Sequence, residues 1–414
     1  MLQSQSLILD RLVARFFLLY LAELIIAGPV GFLIWGIHIR FILIIILIGL
    51  SLLSFFSVKI SIKEFSVLVL FSTIFFMWSI LIPSLRSIDI IDGISEGRAL
   101  FAMFLIIPIS NAFRYYGQDF IFNFSSYLVG IVAIAVSTCW ISAVYFNNYL
   151  PAELLFNYLD TGIGGGIFIG GLADGSYRVT FIACMFFPFV IFAKKNSRFF
   201  IGWAVLMTIA SVSTGTRAFL IGTIFAIVIT VWVDRKKYIK NLIFYILVII
   251  VFLSCLVYYD EFGGSRVLTF TDEFSSDSPR QTQFFSLMEL WQNNMFFGAG
   301  FGSVASEVRG GYNYELTYVA LLAKTGIIGI GLLCVLSLKL FVNIPAGTAR
   351  FNAFMVFLLF LFITSTNPYL INLFGITLVA FFVILAWNLK TDLNKRSHVT
   401  ISAHVGNTSY QADG

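Results

Sequence analysis

Residues 311–329 read "GYNYELTYVALLAKTGIIG" and open an apolar run that continues to Leu338. A run of this length is what a helix needs to cross about 30 Å of hydrocarbon. Two charges stand out in it, because Glu315 lies at the start of the run and Lys324 lies inside it. The stretch therefore predicts a membrane-spanning helix, Leu316–Leu338, with a carboxylate directly before it.

The composition of the whole chain agrees with this prediction. Of its 414 residues, 59% are hydrophobic and 11% are charged, which excludes two or three ordinary water-soluble domains. Apolar stretches of roughly spanning length recur along the chain, so we predict an all-α polytopic membrane protein. The twelve predicted spans are Phe16–Gly36, Phe41–Val58, Phe65–Pro83, Ala99–Phe113, Ser126–Phe146, Val179–Ala193, Phe199–Val212, Ala218–Val233, Leu242–Tyr258, Leu316–Leu338, Phe351–Thr364 and Leu370–Trp387.

The basic residues predict the orientation of these spans. Of 26 Lys and Arg, 17 fall on the side that holds both termini, 8 fall on the other side, and Lys324 falls within a span. The positive-inside rule places the first side in the cytoplasm. The chain then divides into spans 1–9 (residues 1–258), a large external loop (259–315), spans 10–12 (316–387) and a cytoplasmic tail (388–414).

Three longer connections fall on the external side, Ser84–Arg98, Asn147–Arg178 and Tyr259–Glu315. Long loops between spans usually carry function or are disordered, so we expect the function on this side. The middle connection has seven glycines between Thr161 and Gly175, which indicates backbone that passes close to other groups or re-enters the membrane.

The largest loop contains "QFFSLMELWQNN", residues 283–294. Its Phe284, Leu287, Met288 and Trp291 recur at helical spacing, which predicts a short amphipathic helix. Such a helix lies on the outer membrane interface or packs on the spans as a lid, and the sequence leaves both arrangements open.

Three charged residues lie at predicted external membrane edges, where an ionisable group is a functional hypothesis by default. They are Arg217 in "STGTRAFLIG", Arg280 in "SPRQTQFF", and Glu315. Each has a simpler explanation. Arg217 could reach the outer headgroups, Arg280 could be a solvated loop residue, and Glu315 could complement the positive end of a helix dipole.

Other site classes are disfavoured by the sequence. The stretch "FGAGFG", residues 297–302, lacks a preceding strand and a Walker lysine, so its glycines predict turns whose N–H groups could bind an anion. The four cysteines have no CxxC spacing, and none of the three histidines lies in a long external loop. We therefore expect no metal site and no cofactor. The basic residues are scattered among short loops, which argues against nucleic-acid binding.

The order of three motifs carries a family resemblance. "TGTRAFL" lies between two spans, "SPRQTQFFSLMELWQNNMFFGAGFGS" follows in the large loop, and "ELTYVALLAKTGIIGIGLL" comes last. Over roughly residues 213–333 this order resembles the bacterial O-antigen polymerase and O-antigen ligase superfamily. The resemblance implies a membrane glycosyltransferase of the GT-C type that takes a glycan from an undecaprenyl-pyrophosphate carrier on the periplasmic side of the bacterial inner membrane.

The resemblance also implies roles for particular residues. Arg217 and Arg280 match the two motif arginines, which grip the pyrophosphate. Glu315 takes the place of the histidine that is a hallmark of ligases, and this departure favours a repeat-unit polymerase. Its carboxylate is then expected to accept the proton of the attacking hydroxyl, or to orient it. Tyr312, Tyr314 and Trp291 are candidates for stacking on sugars, although aromatic residues also line membrane edges.

The implied partners are the lipid bilayer, the undecaprenyl-pyrophosphate-linked oligosaccharide and a chain-length regulator. Two alternatives stay open. A ligase would use the same donor with a lipid A-core acceptor, and a flippase or other transporter would suit twelve spans. Lys324, within a span, is the residue that favours the transporter.

Overall fold

The computed structural model describes residues 2–27, 33–34, 37–55, 62–146, 148, 150–151, 167–171, 177–214, 216–233, 277–306, 314, 316–343, 348–365 and 375–384. The predicted ninth span, Leu242–Tyr258, and the predicted tail, residues 388–414, lie outside this part of the chain. Most of the described residues are helical.

Along the chain, one group of helices ends at Phe146 and a second group begins at Ile182. The first contains α1 (Leu2–Ala27), α2 (Ile39–Phe55), α3 (Ile62–Phe76), a π-helical turn (Met77–Leu81), α4 (Ile82–Leu85), α5 (Ile90–Gly97), a 3₁₀ helix (Arg98–Leu105), α6 (Ile106–Tyr116) and α7 (Gln118–Phe146). The second contains a 3₁₀ helix (Ile182–Phe186), α8 (Phe187–Ala193), α9 (Phe200–Ser213), α10 (Arg217–Val233), α11 (Asp277–Gln292), α12 (Thr317–Asn343), α13 (Thr348–Thr364) and a last helix, Gly375–Ile384.

In the part of the chain that the structure describes, two short strand pairs interrupt the predicted all-α architecture. Strand β1 (Leu33–Ile34) pairs antiparallel with β2 (Ile37–His38), and β3 (Ile167–Gly171) pairs antiparallel with β4 (Tyr177–Phe181). The second pair includes two glycines of the glycine-rich connection, Gly170 and Gly171. Residues 167–171 of that connection thus form an antiparallel pair with residues 177–181.

Apolar side chains make one large core between the helices. Helix α1 packs against α2, α6 and α7, and α10 packs against α8, α9 and α13. Fully buried residues such as Phe17, Leu24 and Phe187 fill the space between them. Many other large apolar side chains are exposed, as in Ile45 at 69%, which suits a surface that faces lipid more than one that faces water.

Among the described residues, three helical stretches are long and apolar enough to cross a membrane, Phe65–Leu85, Gln118–Ala143 and Thr317–Val335. Each coincides with a predicted span. Six further described helices are apolar but only 10–17 residues long. The described part of the chain is thus compatible with a helical membrane protein.

Several predicted spans differ from the structure in their boundaries, and two of them contain strand residues. The first was expected at Phe16–Gly36, but α1 ends at Ala27, where Gly28 and Pro29 follow and disfavour continuation of a helix. The sixth was expected at Val179–Ala193, but its first residues belong to β4 and only Phe187–Ala193 is α-helical. Apolar composition alone does not distinguish a buried strand from a helix.

Candidate functional site

A π-helical turn, Met77–Leu81, interrupts the regular α-helical hydrogen bonds of the stretch Phe65–Leu85. The Ile82 N–H bonds to the Met77 carbonyl instead of the Trp78 carbonyl, and the next residue, Pro83, has no N–H to offer. The Trp78 carbonyl therefore accepts a hydrogen bond from another part of the chain, the Phe301 N–H at 2.8 Å. The Trp78 indole N–H donates to the Phe297 carbonyl, also at 2.8 Å.

Helix α12 is broken at Gly326, whose φ of 66° and ψ of −171° are not helical. Within an unbroken helix the N–H groups of Ile327 and Ile328 would bond to the carbonyls of Ala323 and Lys324. They donate instead to the carbonyls of Met295 and Phe296, at 3.0 and 3.1 Å. The two freed carbonyls, of Ala323 and Lys324, accept from the N–H groups of Ala299 and Gly300, at 2.8 and 2.9 Å.

The segment that fills this break is residues 295–303, which we call the inserted segment. It contacts α12 at a point in the middle of the apolar stretch Thr317–Val335. Its irregular backbone is tolerated at this depth because its polar groups are paired with protein. The segment thus contacts the middle of a predicted span, while residues 259–315 as a whole were predicted to form an external loop.

Helix α11 leads into the inserted segment and packs along α12. Its Leu287 lies in a buried cluster with Tyr314, Ala320 and Ala323. Because the C-terminal end of α11 adjoins the break, these contacts make α11 run parallel to the first half of α12. The helix is thus packed on a predicted span, one of the two arrangements that the sequence left open.

The break surrounds a buried ion pair between Glu96 and Lys324. The Lys324 ammonium lies 2.5 Å from both carboxylate oxygens, and the two side chains are 9% and 0% exposed. The same ammonium donates to the Ser303 carbonyl at 3.0 Å and lies 5.1 Å above the Tyr314 ring. A buried charge needs such partners, so Lys324 in this span is accounted for within the protein.

The glycines of the inserted segment do make turns, with φ of 70°, 88° and 83° at Gly298, Gly300 and Gly302. The Gly302 N–H donates to Glu96 Oε2 at 2.7 Å. The anion at this turn is thus a carboxylate of the same chain. Burial raises the pKa of Glu96, while Lys324 and the Gly302 N–H act in the opposite direction.

Arg280 lies in the first turn of α11 and is half-buried. From Arg280 to the end of α11 at Gln292 is about 18 Å, and from Leu316 to Gly326 is about 15 Å, at 1.5 Å per residue. Because the two helices are parallel and both run toward the break, Arg280 lies near the level at which α12 begins. We call this end of α12 its outer end.

Arg217 is the first residue of α10, and its side chain lies outside the described atoms. Helix α13 connects this position to the outer end of α12. On one side, Gly222 of α10 packs so closely on α13 that a Cβ there would lie 2.8 Å from Ile363. On the other side, the Tyr318 hydroxyl of α12 hydrogen-bonds the Leu361 carbonyl at 2.7 Å and the Thr364 hydroxyl at 3.1 Å.

Of the remaining predicted site residues, the structure describes Tyr314 and Trp291. Glu315 and Tyr312 lie outside the described residues, although Tyr314 and Leu316 on either side of Glu315 are described. Tyr314 is 2% exposed, and its hydroxyl accepts the Ala305 N–H at 2.8 Å, which contradicts the sugar-stacking role predicted for it. Burial also raises the pKa of this phenol, so it stays neutral at pH 7. Trp291 is half-buried against the cluster around Leu287.

Sequence reasoning missed Glu96. Its signal was present, because a lysine inside an apolar span requires a carboxylate partner. Glu96 lies in the connection Ser84–Arg98, which the topology placed on the side where the span of Lys324 begins. Within the described ranges, no three His, Cys, Asp or Glu side chains cluster as metal ligands would.

The chain has no significant match among protein-family models, curated proteins or solved structures.

Proposed function

We propose that this protein is a twelve-span glycosyltransferase of the GT-C type in a bacterial inner membrane, with both termini in the cytoplasm. It acts as an O-antigen polymerase. It transfers a glycan from its undecaprenyl-pyrophosphate carrier to the non-reducing end of another lipid-linked repeat unit on the periplasmic side. A chain-length regulator is its expected protein partner.

The observation that supports the proposal is that three helices pack on shared neighbours close to their ends. The N-terminal residue of α10, the N-terminal half of α11 and the outer end of α12 are connected through α13 and the Leu287 cluster. These are the positions of Arg217, Arg280 and, between Tyr314 and Leu316, Glu315. Helix N-termini also carry partial positive charge, which favours an anionic group beside Arg217.

The chemistry follows from these residue types. Pyrophosphate leaves as the anomeric carbon is attacked, so negative charge grows on its oxygens. Two guanidinium groups remain charged and can bind these oxygens in pairs, which stabilises the leaving group without a metal ion. A carboxylate at Glu315 accepts the proton of the acceptor hydroxyl while that oxygen forms the new glycosidic bond.

The transporter remains the second candidate, and the break in α12 is the observation that favours it. Transporters use broken helices near the middle of the membrane to expose backbone groups to a substrate or an ion. Here the carbonyls and N–H groups around Gly326 are bonded to the inserted segment, and Lys324 is paired with Glu96. These partners occupy the groups that a transported ligand would need, so we prefer the polymerase.

The test is to replace Arg217, Arg280 and Glu315 singly with Ala in cells that lack the native protein, and to examine their lipopolysaccharide on a gel. We expect each change to reduce long chains by about 100-fold or more, as the loss of a transition-state contact does. Arg86→Ala is the matched control, because Arg86 is exposed on the same predicted side and outside the three motifs.

The pattern of the remaining bands separates the candidates. A polymerase defect leaves single repeat units on the core, whereas a ligase defect leaves bare core. Normal long chains in all three variants, at normal protein levels, would exclude the proposed site. Purified protein that extends a lipid-linked repeat unit in detergent would exclude the transporter.

A further inference from the structure

The face of α11 that points away from α12 carries exposed polar side chains along its length, together with the exposed ring of Phe285. Gln281, Phe285, Glu289 and Gln292 are spaced at i, i+4, i+8 and i+11, which places them on one side of a helix. All four are exposed, and we call them the α11 stripe. The opposite side of the helix, with Gln283, Ser286 and Leu287, is buried.

The depth of this stripe is what makes it unusual. Gln292 is the last residue of α11 and adjoins the inserted segment, which contacts α12 at the middle of its apolar stretch. Glu289 lies one turn away, about 5 Å nearer the outer end. An exposed carboxylate at this depth costs about 3 kcal/mol or more in hydrocarbon, so such residues face water-filled cavities instead.

Beyond Asn293 and Asn294, the exposed residues of the chain show the opposite chemistry. Met295, Phe296 and Phe297 are 44%, 69% and 46% exposed. Ile327 and Ile328 of α12 are exposed beside them, at 51% and 37%, and their N–H groups bond to the carbonyls of Met295 and Phe296. This surface suits lipid, whereas the stripe suits water, and the two meet at the end of α11.

The composition of the stripe indicates what it binds. Phe285 is 69% exposed, with an amide or a carboxylate on each side of it along the helix. An exposed ring can stack on the apolar C–H face of a sugar, while Gln and Glu side chains hydrogen-bond its hydroxyls. The carboxylate of Glu289 disfavours phosphate, and Arg280 lies nine residues earlier, which places it on the opposite side of the helix.

We propose that the α11 stripe lines a water-filled groove that reaches the middle of the membrane and binds a hydroxyl-rich oligosaccharide. The water-filled groove stands independently of the proposed polymerase, whereas assigning the oligosaccharide to the reaction rests on that function. In the reaction, the stripe holds the glycan part of a substrate apart from the pyrophosphate, which binds at the arginines.

The first test compares Phe285→Cys with Phe296→Cys. Both phenylalanines are 69% exposed, so neither change removes buried packing. The background is the full chain with its four native cysteines replaced by Ala, in right-side-out membrane vesicles. A membrane-impermeant maleimide should label Phe285→Cys at least about tenfold faster than Phe296→Cys, because the reactive thiolate forms in water and not in hydrocarbon. An apolar maleimide should label both.

Gln292→Cys tests the depth of the groove, and it should be labelled by the impermeant reagent as Phe285→Cys is. Equal labelling of Phe285→Cys and Phe296→Cys, or no labelling of Gln292→Cys by this reagent, overturns the water-filled groove.

The second test uses lipid-linked single repeat units extracted from cells deleted for this protein. At three times their dissociation constant they should slow the labelling of Phe285→Cys about fourfold, because only the free fraction reacts. Unchanged labelling at saturating repeat unit overturns the assignment of an oligosaccharide. A protected stripe together with normal long chains in Arg217→Ala and Arg280→Ala would instead reject the polymerase and keep the oligosaccharide site.

Discussion

Two buried ion pairs, Glu23 with Arg40 and Glu96 with Lys324, resemble each other in isolation but connect very different parts of the molecule. Their N–O distances are 2.8 and 2.5 Å, and all four side chains are at most 9% exposed. The first pair joins residues 17 positions apart, on α1 and α2. The second joins residues 228 positions apart and also holds Gly302 and Ser303.

The different positions of the two pairs predict which properties of the protein each pair affects. The Glu23–Arg40 pair ties two consecutive helices, so its influence is local. The Glu96–Lys324 pair fixes the inserted segment against α12 and lies below Tyr314, the residue directly before Glu315. A disturbance of the second pair therefore reaches the proposed catalytic position, whereas a disturbance of the first lowers stability alone.

The largest expected effect comes from Gly326→Ala, which removes the break that surrounds the second pair. A Cβ at Gly326 would collide with the Phe296 carbonyl and the Gly298 amide, and its φ of 66° is unfavourable for Ala. We expect a loss of about 4 kcal/mol or more in the free energy of unfolding, measured in mixed detergent and SDS.

Gly331→Ala is the control on the same helix. No atom lies within 4 Å of a Cβ there, so this change should be neutral or stabilise the protein by up to about 1 kcal/mol. Equal behaviour of the two variants would show that the break at Gly326 is not required.

The next effect is expected from Lys324→Met, which leaves Glu96 buried without its cation. Breaking a buried pair by removing one partner costs about 3–5 kcal/mol. Because the inserted segment and Tyr314 lose their shared contact, long-chain glycan per folded protein molecule should fall as well. The readouts are SDS unfolding and the lipopolysaccharide ladder, normalised to the folded protein in each membrane preparation.

Arg40→Met provides the matched control for this change, since it also removes the cation of a buried pair. It should lower the free energy of unfolding and leave the glycan per folded molecule unchanged. Loss of glycan in both variants to the same extent would remove the distinction between the two pairs.

The sequence predicted the apolar helices well, because hydrophobic length is a local property. It predicted the turns at Gly298, Gly300 and Gly302 for the same reason, since glycine itself permits their positive φ. It did not predict the break at Gly326, because a single glycine in an apolar run is compatible with an intact helix. The break depends on hydrogen bonds from residues 295–300, which only the folded chain brings near.

Only part of the candidate site could be predicted from the sequence, because the rest depends on contacts between residues that are far apart along the chain. The predicted topology put Arg217, Arg280 and Glu315 on one side, and motif order grouped them, but neither predicted the helix between them. The connection through α13 depends on contacts such as Gly222 with Ile363 and Tyr318 with Thr364. Glu96 was missed because its partner lies 228 residues away, and Tyr314 was misassigned because a tyrosine at a predicted membrane edge carries no sign of burial.

The smallest expected effect is that of the double variant Glu96→Gln/Lys324→Met, and it decides what the second pair is for. The Gln side-chain oxygen can still accept the Gly302 N–H, and Met fills the volume of the lysine stem, so no charge stays buried alone. We expect an unfolding free energy within about 1–2 kcal/mol of the native protein, although Lys324→Met alone costs more. If this variant also regains its glycan output, the pair serves to hold the inserted segment in place. If stability returns while output does not, the charges of Glu96 and Lys324 act on the site beyond the position of that segment.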